Sequence, residues 1–102
     1  MLQHTVYFWL KEGVTESERK NFGKGIKAFV SAITEVQKAE VGIPAATANR
    51  DVVDHTFGYS LFVWFSSIQD HNIYQEHPVH KKFIEDFSHL WSRVQVYDSE
   101  LI

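Results

Sequence analysis

Two stretches of the chain, Leu2–Leu10 and Phe57–Phe65, alternate like β-strands but are apolar or aromatic on both faces. Successive side chains of a strand point to opposite faces, so a strand with one side in water alternates apolar and polar residues. Neither stretch has such a polar face. The pattern therefore predicts two central strands of a sheet that is buried on both sides, which limits the possible folds more than any other feature of the sequence.

The segments between these strands supply helices and two weaker strands. Thr15 and Glu18 form a capping-box pattern, and apolar residues then recur at helical spacing, which predicts a helix from Glu16 to Ala32. The other predicted elements are a strand at Val36–Ile43, a polar connection at Pro44–His55, a helix that starts after Ser66 or Ser67, a helix from His77 or Pro78 to about His89, and a strand at Val94–Asp98 with Val94 and Val96 inward. The order β-α-β-β-α(α)-β predicts one domain, residues 1–102, of the α+β class. Its ferredoxin-like four-stranded antiparallel sheet would carry the helices on one face.

The face of the predicted sheet that points away from the helices is unusually aromatic. It would present five large side chains, Tyr7, Trp9, Phe62, Trp64 and Tyr97. Such a patch is larger than soluble monomers normally expose, which indicates a partner surface. The simplest partner is a second copy packed sheet against sheet about a two-fold axis, so we expect a homodimer that forms an α/β barrel.

The segment Tyr74–His80 holds two of the six histidines and one of the two prolines of the chain. Pro78 should end the preceding helix near Glu76 and begin the next helix at once. His80 starts the apolar stripe of that second helix and should face the core. The helix N-terminus disfavours positive charge, so His80 should be neutral and able to accept a proton. The competing interpretations are a hydrogen-bonded core histidine at His80 and a helix cap at His77.

Composition argues against several classes of function. The 102 residues have a formal net charge of −3 and no basic cluster larger than a pair such as Lys81–Lys82, which argues against a nucleic-acid partner. The chain has no cysteine and thus no disulfide or thiolate chemistry. No stretch approaches the ~20 apolar residues of a membrane span, and Met1–His4 does not resemble a signal peptide. We expect a cytoplasmic protein without a membrane partner.

Four segments form a recognisable pattern: His4–Phe8, Gly58-Tyr59, Tyr74-x-x-His77-Pro78-x-His80 followed by Phe83, and Val94-x-Val96-x-Asp98. With them the chain resembles the stress-responsive A/B barrel (Dabb) domain family of dimeric α+β barrel proteins. The resemblance implies a ferredoxin-like monomer and a dimer whose two sheets form a barrel. One branch of that family cyclises polyketide chains without a cofactor, using a histidine and a tyrosine in a cavity between sheet and helices.

That branch implies roles for residues of this chain. The catalytic pair would be His80 and Tyr74, with His4 and His77 nearby, and no cofactor would be required. A tyrosine on the first helix lines the pocket in that branch, whereas this chain has Ile26 at the matching position.

The first functional hypothesis is a cofactor-free enzyme that acts on a small carbonyl or aromatic, polyketide-like substrate. His80 would abstract a proton next to a carbonyl, and the Tyr74 hydroxyl would stabilise the enolate oxygen. The predicted walls of the pocket are apolar: Val6, Phe8, Phe22, Ile26, Leu61 and Phe87. Plain core packing is the competing interpretation of these wall residues.

Two further hypotheses need no proton transfer. One is a non-catalytic dimer that binds a small ligand or supports stress tolerance. The other is a metal site at His4, His77 and His80, but Pro78 interrupts these residues and they lack the spacing of helical zinc motifs, so we predict no metal. The remaining histidines carry no motif and are predicted to lie on the surface or in loops: His55, His71 and His89.

Overall fold

The computed structural model describes residues 1–102. Its elements are β1 (Leu2–Leu10), α1 (Glu16–Ser31), β2 (Lys38–Gly42), β3 (Tyr59–Phe65), α2 (Ile68–Glu76), α3 (Pro78–Phe87), a 3-10 turn (Ser88–Leu90) and β4 (Trp91–Glu100). The four strands form one antiparallel sheet in the order β2-β3-β1-β4. This is the ferredoxin-like α+β arrangement that the order of elements predicts, and the fold prediction is confirmed.

The two strands that are apolar on both faces occupy the centre of the sheet. β1 lies between β3 and β4, and β3 lies between β1 and β2. Seven of their helix-facing side chains are at most 7 % exposed, namely Leu2, His4, Val6, Phe8, Leu61, Val63 and Phe65. The register pairs His4 with Val63 on β3 and with Asp98 on β4. A buried histidine of the core thus lies directly beside a carboxylate on an edge strand.

Local capping interactions set where each helix begins. The Thr15 side chain accepts a hydrogen bond from the Glu18 backbone N–H at 3.1 Å, and the Glu18 carboxylate accepts one from the Thr15 N–H at 3.0 Å. Ser67 caps α2 through the Asp70 N–H. These contacts satisfy backbone N–H groups that have no partner inside the helix.

The corner between α2 and α3 forms where Pro78 predicts it. His77 has an extended backbone and serves as both the C-cap of α2 and the N-cap of α3. Its Nδ1 accepts a hydrogen bond from the Val79 N–H at 3.1 Å. Pro78 follows at the first position of α3, where its missing N–H removes no helical bond.

The helices pack on one another through aromatic rings. Phe29 of α1 and Phe83 of α3 stack with ring centroids 4.1 Å apart. A pair of this kind contributes about 0.5–1.5 kcal/mol beyond the burial of its area. The Phe83 ring also lies against Phe8 of β1, with centroids 6.4 Å apart, so these contacts fix α3, and with it His80, relative to both α1 and the sheet.

The outer face of the sheet is aromatic, as predicted, but it is only partly open. Tyr97 is 59 % exposed, whereas the other four predicted aromatics are half-buried. The Arg93 guanidinium lies 4.4 Å from the centre of the Trp9 ring, and the Trp9 indole N–H donates to the Thr56 hydroxyl at 2.8 Å. The connection between β2 and β3 therefore lies along part of this face, next to an open cavity of about 550 Å³.

The ends of several elements differ from the prediction. β2 is shorter than Val36–Ile43, β3 begins at Tyr59 rather than Phe57, and β4 extends beyond Val94–Asp98 in both directions. Val94 and Val96 point to the helix side but are 38 % and 41 % exposed, because β4 is an edge strand that the helices do not fully cover. No helix combines the length and the apolar composition that a membrane-spanning segment requires.

Candidate functional site

A cavity of about 140 Å³ lies between the helix-facing side of the sheet and helices α2 and α3. Polar side chains in its otherwise apolar wall include His4, Tyr74 and His80. Three further wall residues, Ile84, Val94 and Val96, are 38–41 % exposed and mark its opening between α3 and β4. The structure therefore brings together three of the four polar residues that the family resemblance implies for the cavity, and the fourth, His77, does not line it.

Tyr74 lies in the last turns of α2 and is 1 % exposed. Its ring centroid is 4.7 Å from that of His80 and 5.7 Å from that of His4. Burial raises the pKa of the Tyr74 hydroxyl well above 10.0, and the negative charge of Asp98 raises it further. Tyr74 is therefore a neutral phenol in the working pH range and can only act as a hydrogen-bond donor or acceptor.

His80 lies in the first turn of α3, with its ring against Tyr74 and Phe29. Its Nδ1 is buried and has no hydrogen-bond partner. Burial lowers the pKa of His80 below 6.5, and nearby His4 and His71 lower it further. The sequence predicts a neutral His80 because of the helix N-terminus, whereas in the structure the largest cause of the neutral state is desolvation by burial. A buried polar atom without a partner costs about 1–3 kcal/mol, which a ligand that pairs with it would recover.

His4 is held by Asp98. The two residues are cross-strand neighbours, and the His4 Nδ1 and the Asp98 Oδ1 lie 2.6 Å apart. Burial lowers the pKa of His4, while the hydrogen bond and charge of Asp98 oppose that shift. Since an ionised carboxylate can only accept, the His4 ring carries its proton on Nδ1 and leaves Nε2 unprotonated.

His71, which the sequence places among the surface or loop histidines, is half-buried on α2 and contacts the site. Its ring centroid is 5.0 Å from that of His4 and 5.6 Å from that of Phe65. The usable signal was its spacing from Tyr74, because residues three apart share a helix face. Asp98 was part of the family pattern but had no predicted role. Its pairing with His4 depends on the strand register, which the pattern of one strand does not reveal.

Six of the ten predicted site residues line the cavity, namely His4, Val6, Phe8, Leu61, Tyr74 and His80. The other four lie elsewhere. Phe22 and Ile26 are 0 % exposed and fill the core, and Phe87 lines a separate groove between α1 and α3. His77 caps α3, so the metal site predicted as an alternative at His4, His77 and His80 does not form. Ligand atoms that lie within 4.8 Å of one another belong instead to His4, His71 and Asp98.

The order of elements, the sheet and the cavity between sheet and helices define a ferredoxin-like α+β protein. The chain belongs to the stress responsive A/B barrel domain family, whose model matches residues 2–101. This confirms the resemblance drawn from the four sequence segments. No curated protein matches the sequence.

Solved structures share the whole fold at low sequence identity. A hydroxynitrile lyase from Passiflora edulis is 16% identical with a TM-score of 0.85, and the match covers 99% of this chain and 93% of that one. A Dabb family protein from Mesorhizobium loti is 24% identical with a TM-score of 0.80, covering 99% and 96%. A dimeric protein of unknown function from Bacteroides fragilis is 24% identical with a TM-score of 0.76, covering 98% and 95%.

Proposed function

We propose that this chain is a cofactor-free acid–base catalyst that acts on a small carbonyl or aromatic compound in the cavity between sheet and helices. The observation that carries the proposal is the buried, unpartnered Nδ1 of His80, in a cavity wall that also holds Tyr74 and His4. Shifted pKa values that cluster in a cavity are typical of active sites. One structural neighbour is a hydroxynitrile lyase, so the fold is compatible with an enzyme.

The proposed reaction begins with proton transfer to His80. The neutral imidazole takes a proton from the carbon next to the substrate carbonyl, and the C–H electron pair forms a new C=C bond. The carbonyl π electrons then move onto oxygen, where the Tyr74 O–H donates a hydrogen bond to the developing negative charge. Tyr74 suits this role because its raised pKa keeps the proton on its oxygen.

Asp98 and His4 would act as a second acid–base group at the same cavity. Asp98 fixes the His4 tautomer with Nε2 unprotonated, so His4 can accept a hydrogen bond or a proton from the substrate. The indole N–H of Trp91, another residue of the wall, is also buried without a partner. Two unpartnered polar groups in one cavity favour a polar ligand over plain core packing.

The size of the cavity limits the substrate. About 140 Å³ is below the roughly 300–1,000 Å³ typical of ligand pockets, so it suits a single aromatic ring with a short substituent. A longer polyketide-like chain would have to extend through the opening beside Ile84, Val94 and Val96. These side chains lie on the helix and the edge strand that flank the opening, so their movement would admit such a chain.

We further propose that the working unit is a homodimer joined through the outer sheet faces. Structural neighbours are described as dimeric ferredoxin-like proteins, which supports this assembly. The aromatic face supplies the apolar surface, with Trp64 and Phe62 on β3 and Tyr7 and Trp9 on β1. Tyr97 is the most exposed of the five aromatic residues, and the proposed interface would bury it.

A non-catalytic dimer that binds a small ligand, in a stress response or otherwise, is the second candidate. The unpartnered polar atoms of the cavity also favour this candidate. A ligand that pairs with them would stabilise the folded protein without any reaction.

The two candidates separate in an exchange experiment. An aryl methyl ketone is incubated with the protein in D₂O, and exchange of its α-protons is followed by NMR. The wild type should accelerate exchange, and His80→Ala should lose about 10²–10⁴-fold of that rate. Tyr74→Phe should lower the rate more than it weakens binding. His89→Ala, at an exposed site, is the matched control and should behave as the wild type.

Three other results would contradict the proposed catalytic role of His80. Equal exchange by His80→Ala and wild type would refute the assigned base. A ketone that raises the melting temperature of the wild type without any exchange would favour the ligand-binding dimer. A large loss of thermal stability in His80→Ala, with neither exchange nor ligand effect in the wild type, would leave His80 as a core residue.

A further inference from the structure

We propose that His4, His71 and Asp98 form a binding site for a divalent transition-metal ion such as Zn²⁺, next to the cavity that His4 lines. The three side chains come from β1, α2 and β4, and their ligand atoms lie within 4.8 Å of one another. No sequence motif joins them, because the site depends on the β1–β4 register and on the packing of α2 against the sheet. The inference goes beyond the proposed acid–base function and does not depend on it.

The donor set suits this class of ion. Two imidazoles and one carboxylate are ligands that Zn²⁺, Fe²⁺ and related ions accept, and three protein ligands leave positions open for water or substrate. The carboxylate also supplies the negative charge that partly neutralises a divalent ion in a half-buried site. Hard cations such as Mg²⁺ prefer oxygen ligands and are a poor match for two imidazoles.

The distances require only a small adjustment. Zinc lies about 2.0–2.1 Å from a histidine nitrogen and about 2.0–2.2 Å from a carboxylate oxygen, so ligand atoms around one ion are roughly 3–4 Å apart. Binding through His4 Nδ1 would move the ring proton from Nδ1 to Nε2, because a metal ligand must be unprotonated. The Nδ1 and the Asp98 Oδ1, now 2.6 Å apart, would separate slightly, and the wider pairs within 4.8 Å would move closer by roughly an ångström.

The two outer ligands are free to make that movement. The Asp98 side chain is 43% exposed, and His71 is half-buried on α2. The ring nitrogens of His71 make only local contacts, at 3.1 Å with the adjacent Asn72 and at 3.5 Å with Gln75 one turn away. His4 is the buried, fixed ligand, at 3 % exposure. A rigid inner ligand with two adjustable outer ligands allows an ion to enter from solvent.

The competing interpretation is that the cluster only stabilises the fold, with Asp98 pairing with His4 and His71 packing on the His4 ring. That interpretation requires no metal affinity above that of scattered surface histidines. The two interpretations therefore differ in a quantity that can be measured with the metal alone.

The test uses the full chain without a polyhistidine tag. Zn²⁺ binding is measured by calorimetry, and Co²⁺ binding by the visible absorption of the bound ion. The wild type should bind one ion per chain with a dissociation constant in the micromolar range or below. His71→Gln and Asp98→Asn should each weaken binding at least tenfold, since loss even of groups that only orient metal ligands costs about 10–100-fold. His89→Gln, at an exposed histidine, should bind as the wild type does.

Circular dichroism of each variant checks that the fold is kept. Wild-type binding weaker than the micromolar range would overturn the proposal, as would tight binding that either His71→Gln or Asp98→Asn leaves unchanged. Failure of this test would not affect the exchange experiment on His80, because that experiment contains no metal.

Discussion

Asp98→Asn is the substitution that most directly examines how the cavity is held together. It keeps the shape of the side chain and removes the negative charge 2.6 Å from the His4 Nδ1. Asn can still accept a hydrogen bond, but it can also present its NH₂ group, so it no longer fixes one tautomer of His4. The variant therefore tests electrostatics and tautomer control without creating a cavity.

The magnitude follows from the geometry. A hydrogen bond to a charged group contributes about 1.5–3 kcal/mol when well shielded, and the 43% exposure of the Asp98 side chain places this pair below that range, at about 1 kcal/mol. For a domain near 100 residues, 1 kcal/mol corresponds to a melting-temperature shift of about 4–8 °C. We expect a loss of this size at pH 7 and equal protein concentration.

The pH dependence provides a sharper measurement. Burial lowers the pKa of His4 and Asp98 opposes that change, so Asp98→Asn should lower the pKa further. Below pH 6.5 the unfolded chain binds a proton at this histidine more readily than the folded chain, and the folded state loses stability as the pH falls. The difference in melting temperature between variant and wild type should therefore grow as the pH falls from about 7 to about 5.5.

Histidine NMR titrations and thermal melts across this range measure both effects. Asp86→Asn is the control, because Asp86 forms an exposed ion pair with Lys82 at 2.8 Å and should leave both His4 and the melting temperature nearly unchanged. A His4 pKa that stays the same or rises in Asp98→Asn would refute the reasoning. So would a loss of melting temperature that is constant with pH.

Two further predictions concern the interface and Tyr74. Trp64→Glu should yield monomer or aggregate in sedimentation, because an unpaired charge buried between two sheets costs several kcal/mol, and a wild type that is monomeric at micromolar concentration would contradict the interface. In an absorbance titration at alkaline pH, one of the four tyrosines should ionise only with unfolding, because burial raises the pKa of Tyr74 above 10.0. Tyr74→Phe should abolish that late step, and simultaneous ionisation of all four in the folded wild type would contradict it. The stability that Tyr74 contributes as a neutral group is lost as the pH rises above 10.0, where the unfolded chain releases the proton first.

Much of the fold was predictable because local rules and long-range packing agree. The capping box at Thr15 and the proline at Pro78 fix helix boundaries through backbone hydrogen bonds alone. The apolar character of both faces of β1 and β3 reports their central position. The ends of β2 and β4 were less predictable, because edge strands are partly exposed and their sequences carry a weaker alternation.

The site was predictable only where its residues are close together in the sequence. His80 and Tyr74 flank the corner at Pro78, so their approach follows from local geometry. The partnership of His4 with Asp98 joins residues 94 positions apart, and the approach of His71 to His4 joins a helix to a strand. Such pairs depend on register and helix placement, which a single sequence without its structure does not specify.

The predicted wall residues that lie outside the cavity show why a cavity is harder to predict than a core. Phe22 and Ile26 lie on the apolar face of α1 and are fully buried. The Phe22 ring packs against Phe8, Tyr59 and Phe83, so no space is left there. The cavity forms instead at the side where β4 extends past the helices and leaves Val94 and Val96 partly uncovered. A sheet wider than its helical layer creates an edge where buried and exposed groups meet. At that edge the buried His4 imidazole pairs with the half-exposed Asp98 carboxylate. The incomplete cover of the sheet thus allows a charged group to stay partly hydrated beside a buried polar one.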